Sequence, residues 1–148
     1  MLARLTQFTV RSLDRLAARV LPADDHPEHQ RTGRRGEEEA YFWLRKQGYV
    51  VVARNYRSPG RRGEIDLIGW DGDVLCFIEV KTRTSHGVKP AEAAVDHEKR
   101  KELRGVAREY LRRLRSDPAH RFDVVSIYLE KSPGTGPIEL FKNAFPVT

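Results

Sequence analysis

Two stretches of the chain have the apolar composition of buried strands, yet charged residues interrupt both. The stretches are residues 63–70 and 74–82, and the charged residues are Glu64, Asp66, Glu79 and Lys81. Clustered carboxylates repel one another unless a proton or a cation relieves them, and Mg²⁺ prefers oxygen ligands of this kind. A bound divalent cation lowers the pKa of a water and neutralises charge on a phosphate, while a nearby lysine stabilises the same charge. These residue types therefore suit the hydrolysis of a phosphodiester.

The spacing of these charges places them on one side of a β-hairpin. A two-residue turn at residues 71–72 would set Asp66 opposite Phe77 and Glu64 opposite Glu79. Because side chains alternate faces along a strand, all four charged residues then project from the same face. In this register Asp66 and Glu79 are diagonal neighbours whose Cβ atoms lie about 7 Å apart or less. We therefore expect the two carboxylates to be close enough to share one cation.

A purely structural interpretation competes with this one. Residues 79–81 form an exposed face of an amphipathic strand in that interpretation, and Glu64 and Asp66 pair across to it. The apolar residues on both sides of the charges weigh against an exposed face. Buried charges need a partner, a metal or a function, so we favour the chemical interpretation.

The rest of the pattern predicts an α/β domain with the element order α-β-β-β-α-β and a short edge strand. The first helix is expected to carry Glu37, Glu38 and Glu39 in its first turn and to stop at Gly48. A Pro/Gly loop covers residues 57–63, and a long helix runs from about residue 96 to residue 114. The strands are expected at residues 49–56, 64–70, 74–82 and 121–129, with the edge strand at 137–142.

A specific resemblance is carried by the run from Gly63 to Ile68, followed by Glu79-Val80-Lys81 13 residues after Asp66. This arrangement resembles the PD-(D/E)xK nuclease core of the restriction-endonuclease-like fold. More narrowly it resembles the bacterial YraN family, which is similar to archaeal Holliday-junction resolvases. The resemblance covers about residues 31–129, although Ile65 precedes Asp66 where proline is common. Further matching positions are Gly33, Gly36, Glu37, Ala40, Leu44, Gly48, Tyr49, Asn55, Arg57, Arg83, Lys99, Phe122 and Asp123.

The resemblance implies a mixed central β-sheet flanked by helices and a metal-dependent endonuclease acting on DNA, including branched recombination and repair structures. It implies that Asp66 and Glu79 hold Mg²⁺ or Mn²⁺ and that Lys81 is the catalytic lysine. Glu37 is implied as an additional acid; the alternative is a glutamate favoured at a helix start by the dipole. A nucleic-acid-binding module of the same fold without catalysis remains open as an alternative function. A resolvase-like role would further require a homodimer that cuts two strands symmetrically.

Charge is unevenly distributed along this chain of 148 residues, whose formal net charge is +6. Residues 31–62 carry a net charge of +6, residues 63–98 of −5 and residues 99–121 of +6. Basic groups on both sides of an acidic block suit a polyanion, which they bind with little sequence preference. On the long helix, the polar face of an ordinary surface helix is a serious alternative. The residues predicted to bind nucleic acid are Arg34, Arg35, Arg57, Arg61, Arg62, Arg83 and Lys99.

The first 30 residues are predicted to be an extension and linker, and residues 31–148 a nuclease-like domain. Residues 2–21 have the pattern of an amphipathic helix, which suits a targeting presequence, a membrane-surface helix, a partner-docking helix or a loosely attached extension. The lone Cys76 excludes an internal disulfide and a four-cysteine zinc site, so we expect the reducing cytoplasm. No apolar stretch approaches the roughly 18 to 20 residues of a membrane-spanning helix.

Overall fold

The computed structural model describes residues 28–83, 95–129 and 135–148. The predicted helix at residues 2–21 lies outside the described residues. None of the helices in the described ranges is long and apolar enough to cross a membrane. The elements are α1 (Glu28–Lys46), β1 (Val50–Tyr56), β2 (Ile65–Asp71), β3 (Val74–Arg83), α2 (His97–Arg112), β4 (His120–Leu129) and β5 (Thr135–Phe145).

The five strands form one sheet in the order β1-β2-β3-β4-β5. Strands β3 and β4 are parallel, with α2 in the crossover between them, and every other neighbouring pair is antiparallel. The predicted α/β fold with a mixed sheet and the order α-β-β-β-α-β is therefore confirmed. The edge strand β5 is longer than the predicted 137–142, because its pairing with β4 continues from Thr135 to Phe145 across two irregularities.

Each helix covers one face of the sheet. Ala40 and Leu44 of α1 belong to a buried cluster with Ile78 of β3, whereas Leu103 and Val106 of α2 belong to a second cluster on the opposite face. Fully burying one such side chain stabilises a fold by about 1.5 to 3 kcal/mol. The two buried clusters therefore hold both helices against the sheet. The odd-numbered residues of β3 project from the face that α2 covers.

Helix α1 begins earlier than the sequence predicts. Glu37, Glu38 and Glu39 were expected in its first turn, but the helix starts at Glu28 and places them in its middle. The expectation was wrong because it relied on the preference of acids for a first turn, whereas α1 continues through Gly33 and Gly36 although glycine weakens a helix by about 1 kcal/mol. The helix dipole favours acids only within the first turn, so it does not account for Glu37.

Gly36 allows α1 to approach the sheet closely. A Cβ atom at this position would lie 1.9 Å from Oγ1 of Thr82 on β3, a distance that no side chain can occupy. A Cβ atom placed on Gly33, one turn earlier, would have no neighbouring heavy atom of the described residues within 4 Å. The contact at Gly36 therefore sets the distance between α1 and β3, and with it the position of the adjacent Glu37.

A buried polar network lies on the α1 side of the sheet. Asp123 is 0% exposed, and both of its carboxylate oxygens accept hydrogen bonds from Nε of Arg121, at 2.9 and 3.1 Å. Nη2 of Arg121 also donates to Asp71 at 2.7 Å and to the Tyr49 hydroxyl at 3.0 Å. The backbone N–H of Asn143 donates to Asp123 as well, at 2.9 Å. Asp123 therefore ties β4 to β5 and serves the fold.

Candidate functional site

The β2–β3 hairpin brings two carboxylates to face each other. Ile68 pairs with Phe77, and the connecting loop is residues 72–73. The predicted register, which set Asp66 opposite Phe77, is therefore wrong by two residues. Continuing the observed pairing along the hairpin sets Asp66 directly opposite Glu79. Because side chains alternate with a period of two, a shift of two residues keeps both carboxylates on one face, as expected.

Asp66 lies partly buried at the point where β2 meets β3. Its Oδ2 accepts a hydrogen bond of 2.8 Å from the backbone N–H of Val80. Burial, followed by the negative charge of Glu79, raises the pKa of Asp66 to about 8, although the Val80 hydrogen bond and Lys99 act in the opposite direction. Glu37 also contributes to the increase. A nearby cation would stabilise the ionised form of a carboxyl group in this environment.

Glu79 is the more deeply buried member of the pair, with only 6% of its side chain exposed. Its Oε1 lies 3.4 Å from Nζ of Lys81 and 3.8 Å from Nζ of Lys99. Its Oε2 is buried and has no hydrogen-bond partner among the described residues. Leaving a buried carboxylate oxygen without a partner costs free energy, so a water or a cation bound at this atom would stabilise the site.

Glu37 is joined to the hairpin by an asparagine. Nδ2 of Asn55 donates to Oε2 of Glu37 at 3.0 Å and to Oε1 of Glu64 at 2.9 Å. Glu64, predicted to lie opposite Glu79, precedes β2 and instead forms an ion pair with Arg57. Asn55 has a positive φ of 48°, a conformation that asparagine adopts more readily than most residues. The sequence pointed to Asn55 only as a position shared with a family, and its bridging contacts were missed.

A groove of about 540 Å³ adjoins Glu37. It has both basic and acidic walls, so it suits a polar rather than an apolar ligand. Asp66 and Glu79 do not line it, and it meets the carboxylate pair through Glu37. Its lining residues are Gln30, Gly33, Arg34, Glu37, Asn55, Arg57 and Glu64.

The residues predicted to bind nucleic acid do not form one patch. Arg34 and Arg57 lie at the groove, while Arg35 and Arg62 are exposed elsewhere on the surface. Arg61 reaches across to α2, where its Nη2 lies 3.2 Å from Glu109.

The remaining two residues predicted to bind nucleic acid are Lys99 on α2 and Arg83 on β3. Lys99, predicted to contact a phosphate, has its Nζ 3.8 Å from Oε1 of Glu79. Arg83, at the end of β3, is buried with 8% exposure. The placement of Lys99 in an acidic site was missed, since its neighbours Arg100 and Lys101 indicated a uniformly basic helix surface.

The carboxylate pair fits a hard cation. Within residues 28–83, 95–129 and 135–148, no three His, Cys, Asp or Glu side chains are grouped closely enough to hold a metal ion. Mg²⁺, however, is commonly held by one or two carboxylates together with waters and substrate oxygens. The facing carboxylates of Asp66 and Glu79 supply the two protein ligands of such a site. Oε2 of Glu79, which has no hydrogen-bond partner among the described residues, is one of the available oxygens.

Fold and site together define an α/β protein in which two carboxylates face each other across adjacent strands of a mixed sheet, with two lysines beside one of them. Residues 36–127 match the model of the uncharacterised protein family UPF0102. The chain is 54% identical over 140 residues to a UPF0102 protein of Koribacter versatilis, covering 95% of this chain and 94% of the relative. It is 50% identical over 136 residues to a UPF0102 protein of Solibacter usitatus, covering 91% and 96% of the two chains. The chain belongs to the UPF0102 family.

Proposed function

We propose that this protein is a metal-dependent endonuclease of the PD-(D/E)xK superfamily that hydrolyses DNA phosphodiester bonds. The proposal includes membership of the YraN group and similarity to archaeal Holliday-junction resolvases, and hence branched DNA as the substrate and a homodimer as the working form. A buried, unpaired thiol at Cys76 accords with a cytoplasmic location.

One observation carries the proposal. Asp66 and Glu79 face each other in a partly buried site, and not every carboxylate oxygen of the pair has a hydrogen-bond partner among the described residues. Burial and the Glu79 charge raise the pKa of Asp66, and Oε2 of Glu79 lacks a partner among the described residues. Ordinary strand pairing gains nothing from two facing acids, since like charges directly opposite are destabilising. A site that binds a divalent cation does gain from them.

Each residue of the site has its own role in the proposed hydrolysis. Asp66 and Glu79 would hold Mg²⁺ or Mn²⁺, and such a cation activates a water and neutralises charge on the phosphate. Lys81, whose Nζ is 3.4 Å from Glu79, remains 29% exposed and can reach a phosphate or orient a water. Lys99 on α2 also approaches this carboxylate, with its Nζ 3.8 Å from Oε1 of Glu79. Glu37 adds negative charge at a position that Asn55 fixes.

A second candidate function is nucleic-acid binding by the same fold without catalysis. The lysine contacts favour it, because Lys81 and Lys99 both lie beside Oε1 of Glu79 and compensate its charge. The described residues also hold no group of three metal-ligating side chains. In this case the lysines would serve as phosphate contacts and the acids would position them.

A cleavage assay on duplex, flap and four-way-junction DNA separates the two functions. With Mg²⁺ or Mn²⁺ we expect cleavage that Asp66→Asn and Glu79→Gln each reduce by about 100-fold or more, the scale on which loss of transition-state stabilisation is felt. Asp73→Asn, which removes an exposed acid from the hairpin loop, is the matched control and should retain activity. DNA binding with no cleavage under either metal supports the binding module, and absence of both binding and cleavage refutes both candidates.

A further inference from the structure

Arg83 is a buried cation that has no ion-pair partner among the described residues. Its side chain is 8% exposed, and neither Nε nor Nη2 has a hydrogen-bond partner among the described residues. Ser126 on β4 is in the same situation: it is 1% exposed and its Oγ lacks a partner. Polar atoms at this depth are normally paired. Two adjacent strands therefore each carry an unsatisfied hydrogen-bonding group.

These two residues lie on the face that carries the carboxylates. Glu79, Lys81 and Arg83 alternate along β3 and so project from one side of it. Ser126 is the β4 partner of Lys81 in the parallel ladder, so its side chain shares that face. Arg83 and Ser126 are therefore diagonal neighbours, and Lys81 lies between Arg83 and Glu79.

The unpaired atoms have the geometry of an anion receptor. Nε and Nη2 form one edge of the guanidinium, and this edge donates two parallel hydrogen bonds to two oxygens of one carboxylate or phosphate. Arginine cannot release its proton to escape burial, so its charge requires an anion. The Ser126 hydroxyl offers a third donor, which suits a phosphate because a phosphate presents more than two oxygens.

We infer that Arg83 and Ser126 form a subsite for a backbone phosphate of nucleic acid, adjacent to the phosphate that contacts Lys81. This inference rests on the proposed function, since it deepens the account of how the substrate is held. Residues two apart on a strand are separated by about 6.6 Å, which is on the scale of the spacing between neighbouring phosphates of an extended nucleic-acid strand. The subsite would fix the phase of the strand so that a phosphate, rather than the sugar between two phosphates, lies at the carboxylate pair.

Binding to the full-length chain without metal tests the subsite independently of cleavage. The probes are inorganic phosphate and a single-stranded oligothymidylate, and the readout is the ¹H–¹⁵N resonance of the Arg83 Nε–H group. Both probes should shift this resonance. Arg83→Lys, which keeps the charge but loses the two-donor edge, should weaken oligonucleotide binding by about tenfold, and Ser126→Ala by about threefold. Arg108→Lys, at an exposed position of α2, is the control and should leave the affinity unchanged.

The outcomes separate this inference from the proposed function. If DNA is cleaved but the Arg83 resonance responds to neither probe, the subsite is refuted and the nuclease stands. If both probes shift the resonance but no DNA is cleaved, the subsite stands and the nuclease fails. A response to phosphate alone overturns the assignment to nucleic acid. Should Arg83→Lys fail to fold, the wild-type resonance and Ser126→Ala still decide the question.

Discussion

Replacing Asp66 with asparagine should stabilise the metal-free protein at neutral pH. The amide is similar in shape to the carboxylate and retains an oxygen that can accept the hydrogen bond from Val80. It carries no charge, so it removes the repulsion from Glu79 and the cost of burying an anion, the two main causes of the raised pKa of Asp66. Buried groups with strongly perturbed pKa values, such as Asp66, are common at functional sites.

The magnitude follows from proton linkage. The pKa of Asp66 is about 8 in the folded chain and 3.8 in its unperturbed form, so the folded state binds the extra proton between these values. Stability is therefore lost as the pH rises through this window, by at most about 1.4 kcal/mol per pH unit for one group. From pH 5 to pH 7, the stability advantage of Asp66→Asn over the wild type should grow by about 2 to 3 kcal/mol.

Urea unfolding in the presence of a chelator, at several pH values from 5 to 7, measures this difference. Asp73→Asn should follow the wild-type curve, because Asp73 is exposed in the hairpin loop. At pH 7, added Mg²⁺ should stabilise the wild type but not Asp66→Asn, since a ligand stabilises only the state that binds it. Wild-type and Asp66→Asn curves that stay parallel with pH would refute the assignment of the raised pKa to Asp66.

Two further predictions concern the scaffold of the site. Gly36→Ala should destabilise the protein by about 1 to 3 kcal/mol, because its methyl group collides with Thr82, and it should also reduce any cleavage activity; Gly33→Ala meets no atom and should be neutral or stabilising in the same thermal-unfolding assay. Arg121→Met should cost about 3 to 5 kcal/mol by leaving Asp123 as an unpaired buried charge; urea unfolding measures it, and a loss below about 1 kcal/mol would contradict the structural role of the pair.

The sequence predicted the elements of the sheet well because its strands are rich in apolar, β-branched and aromatic residues and its loops contain proline and glycine. It did not predict the start of α1, since the three consecutive acids at residues 37–39 indicated a first turn there. The contact between Gly36 and Thr82 explains a glycine inside the helix. That contact joins residues 46 positions apart, and local propensity contains no information about it. Tertiary packing decided this boundary.

The candidate site was predicted in kind but not in detail. The alternation of residues placed Asp66 and Glu79 on one face under either register, because the two registers differ by an even number of residues. The turn decided whether they are diagonal or directly opposite, and the structure has residues 72–73 as the loop, with Gly72 at a φ of 59°. The contact of Lys99 with Glu79 depends on how α2 lies over the sheet, which the sequence alone does not determine.

The charged residues of β3 follow one another along one face of the strand, from acidic to basic. This order relates the proposed metal site to the proposed phosphate subsite. Glu79 comes first, opposite Asp66 on β2, then Lys81, and finally Arg83 at the end of the strand. If a metal binds at the acidic end and a phosphate at the basic end, the nucleic-acid strand runs along β3, with Lys81 between the two. Shifting the strand by a fraction of the phosphate spacing would then leave both Arg83 and the carboxylate pair without a phosphate. The alternating pattern of β3 would thus centre a phosphate on the carboxylate pair without contact to any base.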